Sequence, residues 1–179
     1  MTNHSNAAKI GFRNLEESDL PLMHRWLNNP LVKRWYDDPS ASLEEVRNYY
    51  LPCISGAEPT QSFIFELDGR PVGYIQSYRP KDWPDYWGNQ NLPDGAAGID
   101  LFIGEDDVRH HGVGPRAIRA FIDEILAADP TVTEIIIDPD PGNRAAIRAY
   151  EKAGFARVRE IGPPEHCEAA LLMTRPARR

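Results

Sequence analysis

The segment Arg109-His110-His111-Gly112-Val113-Gly114-Pro115 follows the apolar run Ile99-Asp100-Leu101-Phe102-Ile103 and opens an amphipathic stretch. Strand, glycine loop and helix start in that order suit an anion. Unpaired N–H groups at a helix N-terminus carry partial positive charge, and glycines let phosphates come close to the backbone. Taken alone, an R-x-x-G-x-G pattern is also that of an ordinary glycine-punctuated helix start. A second signature follows: Asp138-Pro139-Asp140-Pro141-Gly142-Asn143, then Ala146, Arg148, Tyr150, Glu151, Lys152, Ala153, Gly154 and Phe155. Asn143 and Tyr150 are two helical turns apart and share a face. Asp100 and Asp138 interrupt or end apolar strand runs, where a charge is costly unless paired, which marks both as candidate functional carboxylates. For Asp138 the competing reading is a plain Asp-Pro turn opener.

The elements that must position these residues can be read from periodicity. Residues 10–15 alternate as a short edge strand, and Ser18-Asp19 starts a helix carrying Leu20, Leu22, Met23, Trp26 and Leu27, which Asn28-Asn29-Pro30 ends. Ser42-Leu43-Glu44-Glu45 is a capping box ahead of Val46, Tyr49, Tyr50 and Cys53. Residues 62–67 and 71–78 form strands joined by the hairpin signal Asp68-Gly69. The stretch 79–96, rich in proline and glycine with Trp83, Tyr86 and Trp87, reads as a long loop of the kind that binds substrate. A helix over 115–127 carries Ile118, Phe121, Ile122, Ile125 and Leu126 on one face. A short strand over 134–137, a helix over 143–153 capped by Gly154, and strands over 155–159 and 169–174 complete the chain.

A chain of 179 residues fits one domain with a sizeable core. Cys53 and Cys167 belong to no C-x-x-C pair, so a reduced, cytoplasmic setting is the simpler reading. No apolar run resembles a secretory signal or a membrane span. With 20 basic and 27 acidic side chains the net charge is −7, which argues against nucleic acid or an anionic membrane and weakly favours a cationic substrate. His110-His111 and His166 fit no H-E-x-x-H or C-x-x-C frame, so no metal is expected.

Together, the 109–115 loop and the 138–155 segment resemble the acetyl-CoA-binding core of the GCN5-related N-acetyltransferases (GNAT). Within that superfamily, Gly73-Tyr74-Ile75-Gln76-Ser77-Tyr78, Gly98-Ile99-Asp100 and the 138–155 segment look most like the aminoglycoside 6′-N-acetyltransferases. The resemblance runs from about residue 10 to 175. It implies an α/β (α+β) fold, a single GNAT-type domain over 1–179 whose mixed sheet of six or seven strands is flanked by helices. Strands splay to form the acetyl-CoA cleft, and the protein is a monomer or homodimer.

The resemblance also implies roles. Arg109, His110, His111, Gly112, Val113, Gly114 and Arg116 would hold the coenzyme pyrophosphate, with Leu101, Phe102 and Ile103 beside the pantetheine arm and Asn143 a further contact. A β-bulge there would leave the N–H of Leu101 or Phe102 free for the acetyl oxygen. Pro115 departs from the family pattern by removing one amide donor, which implies weaker phosphate holding. Asp100 would be the base and Tyr150 the acid that protonates the departing thiolate, since a phenol near pKa ~10 can serve a thiol. Trp35, Tyr36, Tyr50, Gln76, Tyr78 and Trp87, with Asp100 and Asp138, would bind the aminocyclitol substrate; aromatic faces suit sugar rings and ammonium groups, although core packing competes for each. Acetylation of an aminoglycoside 6′-amine, giving antibiotic resistance, is then the expected activity. The alternatives are a siderophore-pathway acyltransferase acting on N6-hydroxylysine or a similar amine, and a non-catalytic acyl-CoA-binding domain.

Overall fold

The computed structural model describes residues 8–88, 90–162 and 169–178; His166 and Cys167 lie outside them. In chain order the elements are β1 (Ile10–Asn14), α1 (Leu20–Leu27), α2 (Pro30–Lys33), α3 (Leu43–Ser55), β2 (Gln61–Leu67), β3 (Arg70–Tyr78), α4 (Pro84–Trp87) and β4 (Ala96–Ile103). There follow α5 (Val113–Glu124), β5 (Glu134–Ile137), α6 (Arg144–Ala153), β6 (Ala156–Ile161) and β7 (Ala170–Pro176). The strands build one mixed sheet of seven in the order β1-β2-β3-β4-β5-β7-β6, with β4 and β5 parallel and every other pair antiparallel.

Local chemistry explains most boundaries. Asp68 and Gly69 both take positive φ, 49° and 80°, as the tight β2–β3 hairpin requires. Ser42 caps α3 by accepting the Glu45 amide at 3.1 Å, while Glu45 reaches back to the Ala41 amide at 2.9 Å, one residue earlier than a strict capping box. Asn29 does more than end α1: its side chain accepts the Leu31 amide and starts the short α2. The helix expected from Pro115 begins two residues sooner, so Gly114 and Pro115 sit in the first turn of α5, where proline's missing donor breaks no ladder bond. The 79–96 stretch carries a 3-10 turn over Pro80–Asp82 and α4.

Alternation along the strands divides the core. Ile99, Ile75, Phe63, Ile135 and Met173 face α5 and α6, whereas Ile64, Tyr74 and Phe102 face α1 and α3. On that second face, farther along the sheet, Trp87 packs with Ala96, Ile136, Ile161 and Leu172. One sheet face is thus covered from two sides, by α1–α3 and by the α4 segment, with the part-buried Gln76, Tyr78 and Asp100 between them. Among the described residues, no helix is long and apolar enough to cross a membrane.

Candidate active site

The site begins where two strands part. β4 pairs with β5 only at Ala96↔Glu134, Ala97↔Ile135 and Gly98↔Ile136, while its pairing with β3 runs from Gly98 to Ile103. The Gly104 amide donates to the Val72 carbonyl at 2.9 Å, which fixes that pair as hydrogen-bonded. Such pairs recur at every second residue of an antiparallel ladder, so the Asp100 and Phe102 amides point at β3 and those of Leu101 and Ile103 point away from it. The latter two open into the gap beside β5. β4 runs against β3 without a register shift, so the expected bulge is absent; parting from β5 exposes the amide instead. Of the two expected donors, Phe102 is excluded by this alternation and Leu101 remains.

At the far end of β4, two left-handed residues, His110 at φ 64° and Gly112 at φ 73°, coil the chain into the start of α5. A Cβ at Gly112 would meet nothing within 4 Å, so this glycine opens onto free space, whereas one at Gly114 would lie in ordinary contact with Ile103 and Ala149, 3.9 and 4.0 Å away. The Arg109 Nε donates to Asp106 at 2.9 Å, and one terminal nitrogen of the same guanidinium is buried without a partner. A buried guanidinium nitrogen without a partner beside free helix-start amides fits an anionic group. Arg116, by contrast, donates to the Ala8 carbonyl, and His110 and His111 are exposed on the loop. Asn143 is the N-cap of α6, accepting the Ala146 amide at 3.1 Å.

Side chains of the pocket face stand in pairs across β3 and β4: Gln76 opposite Asp100, Tyr78 opposite Gly98. Gly98 is required there, because a Cβ would lie 2.3 Å from the Tyr78 ring. Gln76 donates to Asp100 at 2.9 Å and accepts from the Tyr74 hydroxyl at 2.7 Å. Burial raises the Asp100 pKa, opposed by the Gln76 hydrogen bond. At the end of β5, Asp138 accepts from the Tyr86 hydroxyl. Burial first, then the charge of Asp100, pushes Asp138 up to about 7. Tyr150, 7% exposed on α6, is raised by burial and by Asp100 and Asp138, so its phenol stays protonated. The three groups therefore sense one another at the mouth of the β4/β5 gap.

The aromatic residues separate. Tyr36 and Tyr50 lie against Tyr74 on the pocket face, with ring centroids 6.4 and 5.5 Å away. Trp35 is 40% exposed, with Arg34 over its ring and Gly142 within reach of its edge. Trp87 is a core residue, 4% exposed, and backs the Tyr78 ring at 6.4 Å instead of lining open space.

Asp38 is the residue that sequence reasoning missed. It precedes α3, accepts from the Tyr50 hydroxyl, and is pushed up to about 6, chiefly by burial and also by Asp100. Asp37-Asp38-Pro39 looks like any polar turn, and the only available signal was a tyrosine one stretch later.

A family model described as an acetyltransferase (GNAT) domain matches residues 16–162. The chain is 34% identical to the aminoglycoside N(6′)-acetyltransferase type 1 of Klebsiella pneumoniae, covering 99% of this chain and 88% of that one. It is 26% identical to the lysine N-acyltransferase MbtK of Mycobacterium tuberculosis, over 80% of this chain and 67% of that one. Among solved structures, aminoglycoside acetyltransferase AAC(6′)-Ib in complex with coenzyme A and kanamycin superposes with a TM-score of 0.85 at 34% identity, covering 94% and 95% of the two chains.

Proposed function

The chain belongs to the acetyltransferase (GNAT) family, and on that premise we propose that it transfers acetyl from acetyl-CoA to the 6′-amine of aminoglycosides, with antibiotic resistance as the consequence. The observation that carries this reading is the grouping of Asp100, Asp138 and Gln76 with tyrosines beside the unpaired edge of β4.

The residues present fit the coenzyme. The open face of Gly112, the α5 amides and the free nitrogen of Arg109 suit a diphosphate, and the Leu101 and Ile103 amides suit an arm lying along β4 as a further strand. Bound there, acetyl-CoA supplies an activated acyl group. Asp100 and Asp138 draw in the substrate ammonium. Asp100 then takes its proton; a carboxyl raised by burial is a better base than one in water. The Leu101 amide donates to the acyl oxygen as negative charge develops there. As the C–N bond forms and the C–S bond breaks, Tyr150 gives its hydroxyl proton to the leaving sulfur and regains one from the attacked nitrogen, while the proton held by Asp100 passes to solvent. Gln76 and Tyr78 shape the pocket floor, with Trp35, Tyr36 and Tyr50 along its side.

Three carboxylates in one pocket favour a polycation over the single side-chain amine of N6-hydroxylysine. The test is thiol release from acetyl-CoA with kanamycin, tobramycin and N6-hydroxylysine, followed by mass spectrometry of the product. Acetylation at the 6′ position is expected. Turnover of N6-hydroxylysine alone would replace the reading, and no turnover with any amine would leave an acyl-CoA-binding domain.

A further inference from the structure

Asp38, Asp100 and Asp138 converge on one pocket, yet among the described residues none is ion-paired with Lys, Arg or His. Asp38 and Asp100 stand at opposite ends of one tyrosine wall. Tyr50 donates to Asp38 and packs edge-on against Tyr74 at 5.5 Å, whose hydroxyl leads through Gln76 to Asp100 by bonds of 2.7 and 2.9 Å. A fourth group lies among them without a partner. The Tyr36 hydroxyl is buried and makes no hydrogen bond, and its ring lies edge-on to Tyr74 at 6.4 Å and to Phe102 at 4.9 Å.

A buried hydroxyl with nothing to bind, set among unneutralised carboxylates, points to a ligand that brings both charge and hydrogen-bonding groups. Burial and the charge of Asp100 push Asp38 up to about 6, the behaviour of a carboxylate lacking its cation. Both Asp38 and Asp100 also act on the Tyr36 phenol. Among the described residues, no three acidic, histidine or cysteine side chains converge closely enough to hold a metal ion. The missing cation is therefore an extended organic one.

We propose that Asp38, held by the Tyr50 hydroxyl and assisted by that of Tyr36, is a second ammonium subsite that binds a non-reacting amine of the substrate, making the enzyme selective for amines with at least two positive charges. This rests on the amine acetyltransferase reading above. Asp38 takes the charge, Tyr36 takes one N–H or gives its own proton to a neighbouring sugar hydroxyl, and the tyrosine faces shield the ammonium.

The experiment compares Asp38→Asn and Tyr36→Phe with the unaltered protein, using kanamycin and the monoamine 6-amino-6-deoxyglucose, with thermal melts to establish folding. For Asp38→Asn the KM for kanamycin is expected to rise about ten- to hundredfold while kcat changes less than about threefold. The rise with the monoamine is expected to be at least about fivefold smaller, and Asp38→Glu to recover part of the loss. Tyr36→Phe should weaken kanamycin in the same direction by less. Equal KM changes with both amines, or a fall confined to kcat, would overturn the subsite. If the unaltered protein acetylated neither amine, the activity assigned above would fail separately; calorimetry with kanamycin would then decide, a tenfold loss in Asp38→Asn supporting the subsite and unchanged affinity refuting it.

Discussion

Gln76 and Asp100 face each other in register across β3 and β4, and the 2.9 Å bond between them orients the carboxylate that ends the pocket floor. Because Gln76 opposes the rise in the Asp100 pKa, its loss moves that pKa further up. In Gln76→Leu the acid limb of the kcat/KM profile is expected to shift to higher pH, with kcat about tenfold lower, as for one hydrogen bond to a charged group. An unmoved limb would show that Gln76 only fills space. Asp100→Asn should cost about 10²- to 10⁴-fold in kcat while the melting temperature holds.

Asp138 and Asp38 predict the pH dependence of stability. Each carboxyl binds its proton more tightly in the folded chain than at its ordinary value of 3.8. Their contribution to stability is therefore fully present below about pH 4 and is lost as pH rises through about 6 for Asp38 and about 7 for Asp138. Asp138→Asn is expected to raise the melting temperature by about 2–4 °C at pH 8 relative to the unaltered protein, with the gain shrinking progressively as pH falls towards about 4. A gain of equal size at both ends of that range would contradict the charge argument. Saturating polyamine should abolish the difference, since it neutralises the same group.

Tyr150→Phe removes one hydroxyl from an otherwise buried ring that packs edge-on against Phe155 at 6.0 Å. Turnover should fall about ten- to hundredfold, and coenzyme A affinity by calorimetry should stay within about twofold. Unaltered turnover would take Tyr150 out of the proton path.

Gly114→Ala places a methyl group in the first turn of α5 without a clash, in ordinary contact with Ile103 and Ala149 at 3.9 and 4.0 Å. Helix propensity then favours the variant by up to about 1 kcal/mol, so its melting temperature should hold or rise. Coenzyme A affinity should nonetheless drop at least about tenfold. A variant that binds the coenzyme normally would remove the α5 start from the binding surface.

Much of the fold was legible because its signals are local: Asp68-Gly69 for the hairpin, Gly154 at φ 99° closing α6, the apolar stripe of α5. Asp100 and Asp138 could be singled out because a charge inside or at the end of an apolar strand run stands out. Asp38 could not, since its importance arises from Tyr50 and Asp100, which only the folded sheet brings near. Trp87 misled in the opposite way. Its loop looked solvent-facing in the chain, but the wide face of β5 and β7 left bare by α1–α3 needed a cover, and α4 supplies it. The amide at Leu101 was half legible; which neighbour points into the gap is a matter of ladder phase, anchored by Gly104 and Val72.

The sheet is stitched between β4 and β5 at one end only, by three residue pairs. Its two halves, β1 to β4 and β5 to β6, consequently meet along a seam that the chain itself leaves unfinished. Whatever lies in that seam as an added strand completes the ladder, so part of its affinity is cohesion of the protein's own framework. The loaded molecule should resist unzipping as one body, while the empty one yields first along this line.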